Sequence, residues 1–213
     1  MLLADACVYP ATVSNPESNI EIGLQSLKEQ GERAVVASWN IPGWVSVGWL
    51  GWSPDGQRLA LNAVTGTYGS PKTDWQLWLI RENGGPPTLL AHEAYGTTWS
   101  PDGRYIAFVR RATYEKPAPA DLWLFDLATS TEIQLTRFDE QRYVTSVAWS
   151  PDGQRLAFAV TVEIGDSTAD YDKIGDYGEV WITSLDGQEQ YPIAGPTAPD
   201  APVAWLPAMK GGQ

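Results

Sequence analysis

The sequence predicts an all-β protein, a β-propeller of four-stranded antiparallel blades. Three observations carry that expectation. Trp-Ser-Pro-Asp-Gly recurs at 52–56, 99–103 and 149–153, so that 47 residues separate Trp52 from Trp99 and 50 separate Trp99 from Trp149. Each copy runs into an alternating apolar segment: QRLALNAV from Gln57, RYIAFVRR from Arg104, QRLAFAVT from Gln154. Two further short runs follow in each unit. One is centred on a Trp (WQLWLI at Trp78, ADLWLFDL at Trp123, GEVWITSL at Trp181); the other is PPTLLAH from Pro86, EIQLTRF from Glu132 or EQYPIAG from Glu189.

The runs read as strands because β-branched and aromatic residues alternate with smaller or polar ones, with no 3.6-residue stripe. Pro-Asp-Gly explains the first turn: Pro presets φ, Asp tolerates the bridge region and Gly takes the left-handed position. Four short strands repeated every 45 to 50 residues or so are the sequence form of propeller blades. The blades are expected at 46–92, 94–138 and 144–195. A fourth is split between the termini, 1–39 plus 202–207, because VAWLP from Val203 resembles VAWSP from Val147. Pairing those ends would close a ring of four blade-equivalents in a single domain; the alternative is half of a larger propeller.

The WSPDG turn and the Leu/Ile-Ala strand after it resemble the WD-repeat-like propeller repeat of the TolB type. The likeness is strong over residues 46–195 and weak at both ends. It implies a propeller and, usually, protein or peptide binding. Such propellers commonly have six to eight blades, so four equivalents imply either a small ring or two chains completing an eight-bladed one.

Composition narrows the function classes. The 213 residues are 43% hydrophobic and 19% charged, a globular balance. With 26 acidic against 14 basic residues the net charge is −12, which argues against nucleic acid and anionic membrane surfaces. No apolar run approaches the roughly 20 residues of a membrane span. The single cysteine, Cys7, excludes an intramolecular disulfide, and the single histidine, His92, excludes a multi-histidine metal site. No Gly-x-Ser-x-Gly elbow or glycine-rich phosphate loop is present. The chain is therefore read as non-catalytic and cofactor-free. Met1-Leu2-Leu3-Ala4-Asp5 lacks a signal-peptide pattern, which fits a cytoplasmic protein or one whose leader has been removed.

The repeat Trps and Asp55, Asp102 and Asp152 are assigned to packing and turns, since they recur with the repeat. Binding is assigned to the loops between second and third strands and the connections between blades, which vary in length and charge. There Tyr9, Tyr68, Tyr114 and Tyr171 would ring one face, with Trp44, Tyr95 and Tyr143 nearer the axis; Tyr and Trp commonly anchor interfaces. The stretch from Glu163 to Glu179 holds Asp166, Asp170, Asp172 and Asp176. It reads as a solvated acidic loop, with a contact to a basic partner, through Asp170, Asp172 and Asp176, as one alternative. Ca²⁺ held by Asp166, Asp170, Asp172 and Asp176 is another, although the spacing does not fit an EF-hand. The main expectation is a protein or peptide bound on the loop face by a monomer or homodimer. The alternative is an enzyme, metal or glycan site at the axial face.

Overall fold

The computed structural model describes residues 2–9, 17–26, 34–66, 73–111, 119–139, 141–163 and 176–205. All regular structure among them is strand, and no helix there is long and apolar enough to cross a membrane. The chain forms two compact units, Met1–Tyr95 and Gly96–Gln213.

The first unit holds two sheets. β1 (Leu2–Tyr9), β2 (Glu17–Ser26) and β3 (Ala34–Pro42) form one, in that order. β4 (Trp44–Trp52), β5 (Arg58–Gly66), β6 (Thr73–Arg81) and β7 (Thr88–Ala91) form the other as an antiparallel meander. β8 (Ala94–Trp99) spans the boundary between the units and pairs with β9 (Tyr105–Arg111); β10 (Ala120–Asp126) and β11 (Thr131–Gln134) follow. β12 (Arg142–Trp149), β13 (Arg155–Val162), β14 (Tyr177–Ser184) and β15 (Gln190–Thr197) complete the set. One parallel pair, Ala120 opposite Tyr143, joins β10 to β12.

β8 to β15 form one eight-stranded sheet through the β10–β12 pair, and the strand that follows each motif turn lies deepest. Leu59, Leu61 and Ala63 on β5, the run from Ile106 through Val109 on β9, and Leu156, Phe158 and Val160 on β13 are almost wholly buried. These strands are apolar on both faces, so the alternation seen in the sequence marks the pleat rather than a wet side. Removing a Leu or Phe side chain from such a strand costs about 2–5 kcal/mol. Around them sit the repeat aromatics: Trp39 with Trp78 (5.4 Å between rings), Tyr105 stacked on Trp149 (6.3 Å) and Phe138 edge-on to Trp181 (6.0 Å). Trp78, Trp149 and Trp181 thus pack, as their recurrence implies.

The expected closed ring of four blade-equivalents is not formed. β1 has β2 as its strand partner, no sheet closes on itself, and residues 201–205 form no strand. That segment bonds instead beside β12: the Val203 N–H donates to Ser146 Oγ (3.0 Å) and Trp205 Nε1 to the Ala148 carbonyl (3.1 Å). Trp149 Nε1 donates in the same way to the Thr98 carbonyl (3.3 Å). Trp205 therefore holds a repeat position, but Pro199 and Pro202 remove the N–H groups that a ladder through this segment needs.

Each motif turn is built alike. Ser53 N–H donates to the Arg58 carbonyl and Gly56 N–H to the Ser53 carbonyl, while the Ser53 hydroxyl accepts from Arg58 N–H and donates to Asp55 Oδ1 (2.5 Å). The same pattern recurs from Ser100 and Ser150, and a fourth time from Ser184, where Leu185 replaces the proline. Gly56, Gly103 and Gly153 all have φ 70°, and Gly187 has φ 69°. A Cβ on Gly56 would meet nothing within 4 Å, whereas one on Gly187 would lie 2.8 Å from the Leu135 carbonyl oxygen. Gly56→Ala should therefore cost only the left-handed penalty of about 1–2 kcal/mol. Gly187→Ala should cost clearly more, as read by urea unfolding; equal losses would contradict this account of the fourth turn.

Candidate functional site

The two ends of each sheet differ chemically. At the turn end the carboxylates serve the fold. Hydrogen bonds from Ser53 and the Gln57 N–H hold Asp55 below the ordinary carboxylate value of 3.8, and Ser150 with Gln154 N–H, and Ser184 with Gln188 N–H, do the same for Asp152 and Asp186. For Asp102 burial pushes the value up, but hydrogen bonds from Ser100 and the Arg104 N–H outweigh it. A hollow of about 400 Å³ beside Trp205 at this end is bordered by Ser150, Asp152 and Arg155. Ser150 and Asp152 bond each other, and Arg155 donates to the Tyr191 hydroxyl (3.2 Å).

At the loop end of the first unit, Trp44 lies against Gly66, where a Cβ would fall 2.6 Å from the indole. Trp75 covers Gly48, which sits in the bulge between Val47 and Trp49, and its ring lies 6.3 Å from that of Tyr95. Asp74 opens β6 and gathers three donors. Oδ2 takes Gln76 Nε2 (2.9 Å) and lies 2.6 Å from His92 Nδ1; Oδ1 accepts from the Glu93 N–H (3.1 Å). Trp78 Nε1 donates to Gln76 Oε1 (3.0 Å), extending the chain into the sheet. Burial raises the Asp74 pKa, yet the bonds from Gln76, His92 and Glu93 bring it below the ordinary value. His92 is thus oriented by Asp74. Its side chain is 63% exposed.

In the second unit Asp121 plays the corresponding part. Oδ1 accepts from Thr136 Oγ1 (2.9 Å) and from the Phe138 N–H (2.9 Å), tying the end of β10 to the chain beyond β11. Beside it, Arg111 closes β9 opposite Ala120, which in turn faces Tyr143, and the guanidinium carbon lies 5.1 Å from the Tyr143 ring centre. Thr145 falls in the bulge between Val144 and Ser146. Among the described residues, three donors here are buried without a hydrogen-bond partner: Arg111 Nε, Arg142 Nε and Thr145 Oγ1. Arg142 reaches Asp139 only at 3.8 Å.

Of the residues expected to bind, the structure places Trp44, Tyr95 and Tyr143 at the loop ends of first strands, each partly buried. Asp176 is partly buried just before β14; for Tyr9 the structure describes the backbone end of β1. Tyr68, Tyr114, Tyr171, Asp166, Asp170 and Asp172 lie outside the described residues. Among the described residues no three His, Cys, Asp or Glu side chains gather as a metal site. Sequence reasoning missed Asp74, Arg111 and Arg142. β12 begins at Arg142, two residues before the expected start of that blade at 144. The paired arginines at 110–111 were the available signal, since the other second strands end without charge at those positions.

No family model matches the chain, and no curated protein matches it by sequence. Solved structures do. A Pyrococcus horikoshii acylaminoacyl peptidase is similar with a TM-score of 0.56 and 18% identity, over 70% of this chain and 25% of that one. The β-propeller domain of the Trilobed protease from Pyrococcus furiosus, which has an open velcro topology, matches at TM-score 0.53 and 17% identity over 91% of this chain and 54% of its own. An oligogalacturonate lyase in complex with manganese matches at 0.57 and 16%, over 91% and 50%. The fold is propeller-like. The likeness is one of fold, and the chain spans between a quarter and about half the length of these structures.

The four lowered carboxylates of the turns, alongside Asp74 and Asp126, give the fold a pH dependence. Their folded pKa values lie below the unfolded ones, so their stabilisation is present above the unfolded value of 3.8 and is lost as pH falls through the folded values. Melting temperature should drop as pH falls below about 4. Replacing Asp55, Asp102, Asp152 and Asp186 together by Asn should flatten that drop; an unchanged profile would show that other groups control it.

Proposed function

We propose that the chain is a non-catalytic, ligand-binding propeller of the enzyme-associated kind, working beside a catalytic domain or chain. Its ligand is held at the loop end of the first strands and carries a carboxylate. The observation behind this reading is the contrast between the ends. Polar groups at the turn end satisfy one another, while Arg111, Arg142 and Thr145 keep buried donors that no described residue partners at the loop end. Such donors are costly unless something completes them. An anion would do so, with Tyr143 offering apolar area under Arg111.

The solved neighbours include peptidases and oligogalacturonate lyases by name. A net charge of −12 disfavours a ligand carrying a negative charge on every unit, which supports a peptide over an oligouronide. The WSPDG repeats support placement near the TolB type. This reading moves binding from the wide ring of loop tyrosines towards the inner strands. Trp44 and the Trp75–Tyr95 pair favour a second reading, in which aromatic contact over the broader face dominates.

The test is selection of a displayed random peptide library on the whole chain. Selected peptides should bind Arg111→Ala at least about tenfold more weakly, a loss of about 1.4 kcal/mol. Gln154→Ala at the turn end should bind as the parent does. Full binding by Arg111→Ala with loss in Trp44→Ala would favour the aromatic reading, and loss in Gln154→Ala alone would overturn both.

A further inference from the structure

β15 leaves the regular ladder. Its pairing with β14 shifts between Gly178 and Val180 and again between Val180 and Trp181. Along this uneven seam runs an open groove of about 610 Å³, lined by Tyr177, Glu179, Pro192, Ala194, Gly195 and Pro196. That volume lies within the roughly 300–1,000 Å³ of ordinary ligand sites. Gly195 borders Glu179, where a Cβ would lie 3.4 Å from Glu179 Cγ. The lining offers one aromatic ring, one carboxylate and apolar methylenes.

Glu179 is held in place from one side only. Its Oε2 accepts from Trp181 Nε1 (2.8 Å), while no hydrogen bond or ion pair from a described residue reaches Oε1. Pro192 and Pro196 remove two N–H donors from the strand, which makes β15 a poor template for an added strand. An occupant therefore engages by its side chain. One free carboxylate oxygen suits the compact ammonium of lysine; the fork of arginine is matched by two oxygens, and Trp181 occupies one. The lysine stem can lie along Pro192, Ala194 and Pro196, with its ammonium beside the Tyr177 ring. A terminal ammonium lacks that stem. The chain's net charge of −12 attracts such a partner.

We propose that the β14–β15 groove docks a lysine side chain presented by a peptide partner. The groove does not depend on Arg111 or on the reading of the inner strands, so either can fail alone.

The experiment titrates the isotope-labelled whole chain with the blocked peptide Ac-Ala-Ala-Lys-Ala-Ala-NH₂, followed by amide chemical shifts. Saturable shifts centred on Tyr177, Ala194 and Gly195 are expected. Replacing the lysine by norleucine, acetyl-lysine or arginine should weaken binding at least about fivefold. Glu179→Gln keeps an acceptor for Trp181 and should weaken the lysine peptide equally, with dispersion elsewhere unchanged. Shifts that map elsewhere or are absent overturn the proposal, as does equal binding by any of the three replacements or by Glu179→Gln. Equal binding by a lysine-free peptide with a free N-terminus would reassign the groove to terminal ammonium groups and also overturn it.

Discussion

The Ser-x-Asp-Gly turn is the constraint on which the rest of each sheet that carries it depends. A single serine hydroxyl accepts one N–H and donates to the aspartate, and the aspartate in turn takes the N–H of the residue after the glycine. This small ring fixes where the first strand stops and the second begins. Side-chain parity then follows along both strands, because a slip of one residue would exchange the two differently packed faces. The buried second strands, with Leu61, Phe108 and Phe158 at equivalent depth, are correct only in that register. At the fourth site, from Ser184, the same ring links third and fourth strands without proline, so the Ser–Asp–Gly set carries the geometry and proline only presets it.

A second repeated bond links neighbours. The indole N–H of a motif tryptophan reaches the carbonyl just before the preceding motif tryptophan, in Trp149 to Thr98 and again in Trp205 to Ala148. This bond needs a side chain and one carbonyl but no ladder. It explains how residues 201–205 keep their repeat position beside β12 without becoming a strand, and why likeness of VAWLP to VAWSP was a sound guide to place but a poor one to pairing. Proline content decided the difference.

The strands and turns were legible in the sequence because each is set by short-range chemistry that repeats. Trp-Ser-Pro-Asp-Gly announces its own hydrogen bonds, and RLAFAV announces a buried strand. The loop-end chemistry was only partly legible. Trp44, Tyr95 and Tyr143 drew notice as large aromatics in variable connections, and the structure places them at the starts of β4, β8 and β12. Asp74 and its bond to His92 were not, since the two are 18 residues apart and meet only when β6 and the end of β7 are in register. Arg111 was hidden because RYIAFVRR reads as a strand like its counterparts, and the run alone does not set its last residue opposite Ala120 and over Tyr143. Glu179 looked like the last acid of a charged loop, whereas it lies inside β14 and bonds Trp181.

The central claim is that binding chemistry is concentrated at one end of the sheets because the other end is internally satisfied. Crystals soaked in a series of small organic probes such as acetate, propylamine and phenol test it most directly. The account predicts that probes collect at the loop ends, around Arg111, Tyr143, Trp44 and Glu179, and leave the Ser–Asp–Gly turns bare. Probes clustered on the turns at Asp55, Asp102 and Asp152, with the loop ends empty, would contradict it.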